Sequence, residues 1–110
     1  MRVLFTPKAM VELRKEIAAL GDPTAGLMLF RGIPATDMKR GPNGEVIWLK
    51  KPRVAWRAWC ISLAEWPLEV LQRTEVDGIT VAALVVGPNT PQTFRVTLKH
   101  GQLHAAPAAA

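Results

Sequence analysis

The chain has no tyrosine and a single cysteine, Cys60, in 110 residues. One thiol cannot close an internal disulfide or build a thiolate metal site. Within its apolar surroundings Cys60 reads as a small buried hydrophobe rather than a reactive thiol. Long apolar runs are missing too. The longest nearly uncharged stretch, Ile79 to Val86, stops at Gly87-Pro88, well short of the about 20 residues that cross a bilayer as a helix. Near Met1, Arg2 and a few apolar residues lead at once into a segment holding Glu12, Arg14, Lys15 and Glu16. No signal-peptide core fits there. The expectation is a soluble protein, intracellular when made, without membrane contact.

Acidic residues are in short supply as well. Lys and Arg number 14 against 9 Asp and Glu, a net charge of +5. That surplus favours acidic partners, whether nucleic acid or a negative protein surface, although many small domains carry as much for solubility. Groups able to make or break bonds are sparse. His100 and His104 flank a glycine turn with no third ligand in view, too few for a zinc site, and read as surface histidines. Glu12, Glu16, Asp22, Glu65, Glu69 and Glu75 are scattered, with no pair poised for acid–base work. Gly41-Pro42-Asn43-Gly44 is a turn, not a phosphate-cradling loop. No enzyme, cofactor, metal or small-molecule substrate is expected.

What is present is the material of one small domain. A composition 49% hydrophobic and 21% charged is that of a globular protein, and this length supports a single core. Thr6-Pro7 is a helix start, and Met10, Leu13, Ile17 and Leu20 form one apolar stripe ending at Gly21. Arg2 to Phe5 and Gly26 to Arg31 read as strands, followed by a polar loop over 35–44 and a strand over 45–50. From Arg53 to Leu63, Val54, Trp56, Ala58 and Cys60 share one side of a strand; Arg53, Arg57, Trp59 and Ile61 share the other. Leu68 to Val76 fits a short helix or a strand, with the strand favoured. Ile79 to Val86 reads as a central strand buried on both sides. In Thr93 to Lys99, Phe94, Val96 and Leu98 point inward; His100-Gly101 turns the chain, and Leu103 begins a last short strand. The expected architecture is mainly β (α+β): an antiparallel β-sandwich or small barrel with one N-terminal amphipathic helix packed on it. Residues 1–104 form the β-rich domain and 105–110 a flexible tail.

One constellation rises above background. Lys39, Arg40, Lys50, Lys51, Arg53 and Arg57 are interleaved with Trp48, Trp56 and Trp59. Single-strand binders combine cations along the phosphates with aromatic faces under the bases. The other reading puts the tryptophans in the core and the cations on solvated loop ends. If Trp59 alone is exposed beside Arg57, it marks a protein–protein hot spot, since Trp and Arg are enriched there.

The first third of the chain resembles a group of small bacteriophage virion proteins. There an amphipathic helix leads into a strand reading Gly-x-Leu-x-apolar-aromatic-x-Gly-x-Pro. Gly26, Leu27, Leu29, Phe30, Gly32, Pro34, Ala35 and Thr36 match that pattern. Trp56-Arg57 stands where the group has a Trp-x-Arg strand, and Val96 to Leu103 where it has its closing strand. The chain departs from the group in lacking an Ala/Gly/Thr-rich middle and an Asp-x-x-Gly turn. The resemblance implies a non-catalytic structural component of a capsid, tail or head–tail junction, located in the virion after assembly in the host cytoplasm. Its partners would be other virion proteins and further copies of itself, met through Arg57, Trp59, Trp66, Lys39, Arg40 and the 35–44 loop. The alternative is a basic nucleic-acid-binding module over 39–59, using Lys50, Lys51, Arg53 and Arg57.

Overall fold

Thr6 opens the only long helix among the described residues. Its hydroxyl accepts a hydrogen bond from the Ala9 amide at 3.3 Å, Pro7 occupies the first turn, and Gly21 ends the helix in the left-handed region at φ 62°. This is α1, Pro7–Leu20. Ala9 and Leu13 are fully buried, and Met10 and Ile17 pack on the same core. Leu20, expected on the buried stripe, is 48% exposed because the helix stops there.

The computed structural model describes residues 1–32, 38–49, 54–66, 71–84 and 91–108. Among the described residues nine strands accompany α1: β1 (Arg2–Phe5), β2 (Ala25–Gly32), β3 (Met38–Arg40), β4 (Val46–Trp48), β5 (Ala55–Ser62), β6 (Leu71–Val76), β7 (Ile79–Leu84), β8 (Thr93–Lys99) and β9 (Gln102–Pro107). They form a three-stranded sheet ordered β1-β8-β9, a four-stranded sheet ordered β5-β2-β7-β6, and a separate β3–β4 pair. The mainly β, α+β expectation holds, with the helix packed on the sheets and no closed barrel among the described residues. The pairing is mixed rather than wholly antiparallel, because β1 lies parallel to β8 and β2 parallel to β7.

The two larger sheets and α1 enclose one core. Leu27 and Leu29 of β2, Val81 and Ala83 of β7, and Phe94 and Val96 of β8 are all fully buried there beside Leu13. Trp56 enters it from β5 and meets Phe94 edge to face, with ring centroids 4.8 Å apart. Burial of each such large side chain is worth about 1.5–3 kcal/mol, and edge-to-face ring pairs add about 0.5–1.5 kcal/mol. Two tight hairpins close the strand pairs. Asp77 and Gly78 join β6 to β7, and His100 and Gly101 join β8 to β9, all four with positive φ as a two-residue turn of that twist requires.

Three local expectations change. The 35–44 loop contains β3, whose pairing with β4 is tied by the Gly41 amide donating to Glu45 O at 2.8 Å and by the Arg40 guanidinium donating to Gly44 O at 3.0 Å. The flexible tail expected over 105–110 is ordered through Pro107: Ala105, Ala106 and Pro107 pair with β8, and the Ala108 amide donates to Thr93 O at 2.9 Å. Alanines with little strand preference are held by their neighbour's ladder. Val54, placed with the inward side of β5, is 57% exposed and precedes the strand.

A 3₁₀ turn, Leu63–Glu65, folds Leu63 back across the outer face of the four-stranded sheet. Only a glycine fits beneath it. A Cβ at Gly26 would stand 2.5 Å from Thr80 O and 2.6 Å from Leu63 Cδ1. Replacing Gly26 by alanine is expected to cost about 1–3 kcal/mol through overpacking, read as a lower urea midpoint with an unchanged slope. An unchanged midpoint would mean that Leu63 does not seat on this strand.

Candidate functional site

Strand pairing decides which side chains reach the surface. β2 and β5 are antiparallel with Leu27 opposite Cys60, Met28 opposite Trp59 and Phe30 opposite Arg57. Directly opposed residues share a face. Cys60 therefore sides with Leu27 and the main core, while Arg57, Trp59, Met28 and Phe30 share the outer face. On that face Met28, Leu63 and Ala82 form a second small cluster, with Phe30, Ile61, Trp66 and Leu71 packed around it.

Trp59 lies at the rim of this cluster and is 56% exposed. Its ring leans on Phe30, centroids 6.1 Å apart at 55°, so a large apolar surface is held in place without being covered. Arg57, next outward on the same strand, is half-buried and its Nε donates to Gly32 O at 3.4 Å. Trp66 is on the same side but serves the cluster and is half-buried. Lys39 and Arg40 are exposed on the separate β3–β4 pair, where Arg40 is engaged with its own turn. Thus Arg57 and Trp59 come together, Trp66 packs on the outer cluster, and Lys39 and Arg40 belong to another element. Lys50, Lys51 and Arg53 lie outside the described residues.

Beside Arg57 the surface continues onto β9, which packs against β5. His104, on β9, faces outward opposite Thr97 and is half-buried. Partial burial pushes its pKa below the ordinary value, and the cations Lys99, Arg57 and His100 push it further the same way. His104 thus stands among cations, and no carboxylate of the described residues acts with them. Cys60 is the converse case: burial and the nearby Glu16 push its thiol up to about 11. At neutral pH it is a thiol and not a thiolate, so nucleophilic or ligand chemistry is disfavoured there.

An open pocket of ≈ 420 Å³ lies where the 3₁₀ turn meets the sheet, lined among others by Thr24, Leu63, Trp66, Arg73 and Thr80. Among the described side chains, no histidine or carboxylate lines it. The adjacent Asp22 is occupied: its carboxylate accepts from the Thr24 amide and hydroxyl, each at 2.8 Å, and the hydrogen bond of Ser62, followed by those of Thr24, holds its pKa down. Among the described residues, no three of His, Cys, Asp and Glu gather where they could hold a metal ion. The bracing of Trp59 by Phe30 and the meeting of β9 with β5 could not be foreseen from the sequence. Phe30 read only as part of a buried strand, and the meeting of β9 with β5 leaves no mark in local sequence.

No family model matches the chain, and no curated protein does. Among solved structures it is similar to SufA of Escherichia coli, described as involved in biosynthesis of iron–sulfur clusters. The TM-score is 0.55 with 17% identity, covering 99% of this chain and 82% of that one. The likeness is one of fold. It overturns the bacteriophage resemblance and, with it, the virion role, virion location, virion partners and symmetric self-assembly inferred from that motif. The matched residues have a plainer cause. Gly26, Leu27, Leu29, Phe30 and Gly32 are the pattern of β2, a strand covered on both faces. The nucleic-acid alternative fails as well. Trp56 is turned into the core, Trp59 points outward and Trp48 sits on the separate β3–β4 pair, so the three tryptophans do not line one strand face. No helix among the described residues is long and apolar enough to cross a membrane.

The opposed pair Met28 and Trp59 gives a direct check on this face. Met28→Ala removes a side chain only 1% exposed and is expected to cost about 2–5 kcal/mol. Trp59→Ala should cost less than about 1 kcal/mol, within the range of surface substitutions that lose some packing. Paired urea titrations measure both. Equal losses would show Trp59 to be a core residue.

Proposed function

We propose that this chain is a non-catalytic binding module, on a fold similar to that of SufA, that works through contact at the outer face of β5. The observation that carries this reading is Trp59, more than half exposed yet braced against Phe30 beside Arg57 on a paired strand. Trp and Arg concentrate binding energy at protein interfaces, and a side chain already held in place loses little freedom on docking. The described groups with titratable chemistry are otherwise engaged: His104 stands among cations, the Asp22 carboxylate is committed to Ser62 and Thr24, and the Cys60 thiol is protonated.

The fold likeness favours iron–sulfur cluster biosynthesis as the process in which such contacts are made. Holding a cluster is another matter. Clusters are typically held by four cysteine thiolates, and this chain has one cysteine, half-buried with a raised pKa. Its residues do not fit the group, so on this reading the chain assists by docking and does not carry.

Anaerobic incubation with ferrous iron and sulfide, followed by desalting, tests this. The expected product is colourless, with bound iron and sulfide far below one cluster per chain. A stable brown protein with one cluster per chain, abolished by Cys60→Ser, would overturn the non-carrier reading.

A further inference from the structure

We propose that the β3–β4 pair is a bilayer-contact arm, which lays Val46, Trp48 and Leu49 against the surface of a membrane containing anionic lipid. The arm is a different element from the outer face of β5, so this contact and the one proposed there stand or fall separately.

Apolar exposure is concentrated on the arm. Val46 is 41%, Trp48 45% and Leu49 56% exposed, three large apolar side chains within four residues. Val46 and Trp48 share one face of β4. Among the described residues β3 and β4 pair with each other and with neither sheet, and a two-stranded pair without a covering layer is marginal in water. A surface that takes up this face supplies the cover. With three residues in each strand, against about 9–11 for a strand that crosses a bilayer, the arm lies on the membrane and does not span it.

Charge selects the kind of surface. From residue 37 to 54 the sequence carries Lys39, Arg40, Lys50, Lys51 and Arg53 against Asp37 and Glu45. The Glu45 carboxylate accepts from the Asn43 amide at 2.9 Å within its own turn. The whole chain has the same sign, +5, and basic segments are drawn to the negative surface of anionic bilayers. At such a surface the mixture separates by depth. Aliphatic groups enter the acyl boundary, an indole rests at headgroup level, and long cationic side chains reach back to the lipid phosphates. A protein partner that buried this stretch would have to bury cations interleaved with it, which is costly unless each is paired. A nucleic acid offers the phosphates but no apolar phase for Val46 and Leu49.

The test is sedimentation of the full chain with vesicles of phosphatidylcholine alone or with about 30% phosphatidylglycerol, beside titration with a single-stranded oligonucleotide. Binding to the anionic vesicles is expected to be about tenfold or more tighter than to the neutral ones at low salt, with much of that margin lost at high salt. Trp48→Ala should weaken it about tenfold, and Trp48→Phe should restore most of the loss. Val11→Ala, which trims an exposed apolar side chain on α1, should leave it unchanged. Vesicles with brominated acyl chains should quench the fluorescence of the native protein, and Trp48→Ala should lose that quenching. Anionic-vesicle binding that is equal in the native protein and Trp48→Ala, with no quenching by bromine, would reduce the contact to charge adsorption and overturn the arm. Oligonucleotide binding as tight as that of the anionic vesicles, and likewise lost in Trp48→Ala, would overturn the choice of a bilayer. Sedimentation with neither kind of vesicle would overturn the proposal and leave the contact role of β5 untouched.

Discussion

The structure depends on β2 being covered on both faces. Leu27 and Leu29 close the main core and Met28 closes the outer cluster, all at most 1% exposed. A strand buried this way cannot slip by one residue without driving an entire set of side chains into the wrong environment. β5 is hydrogen-bonded along its length to β2, so its register is fixed by the same burial. The opposite placements of its neighbours Trp59 and Cys60 follow. One strand pairing thus withdraws the only thiol from solvent and presents a braced tryptophan to it.

Much of the fold was legible locally, where the signal is backbone chemistry. Thr6-Pro7 and Gly21 bounded α1 because they satisfy orphan amides or accept a positive φ. Asp77-Gly78 and His100-Gly101 marked their turns for the latter reason. Alternation in Thr93 to Lys99 named Phe94 and Val96 as buried. The parallel pairings of β1 with β8 and β2 with β7 were not legible, since they join strands far apart in sequence with no turn between them. The strand through Ala105 to Pro107 was hidden for a related reason: its order comes from β8 and not from its own residues.

The site was legible in half. The mixed side of β5 showed Arg57 and Trp59 together, and they do share a face. Alternation put Trp56 and Trp59 on opposite sides of that strand without saying which side faced solvent, and the neighbourhood of Arg57 and His104 arose only when β9 came to lie against β5. The strand motif in 26–36 misled for an instructive reason. Glycine and leucine at alternate positions reflect close approach and burial, as Gly26 beneath Leu63 shows, and unrelated proteins meet those demands with the same residues. The likeness to SufA carries a parallel warning. A shared fold positions surfaces, and chemistry still requires its own donors; of cysteine donors this chain has one, a protonated thiol.

The central claim is that position 59 faces out and position 60 faces in. Thiol labelling of the native protein at neutral pH, compared with a Trp59→Cys, Cys60→Ala variant, tests it directly. The native thiol should react slowly until denaturant is added, and the thiol introduced at position 59 should react at once. Fast labelling of native Cys60, with protection at position 59, would place β5 in the opposite register and contradict the account.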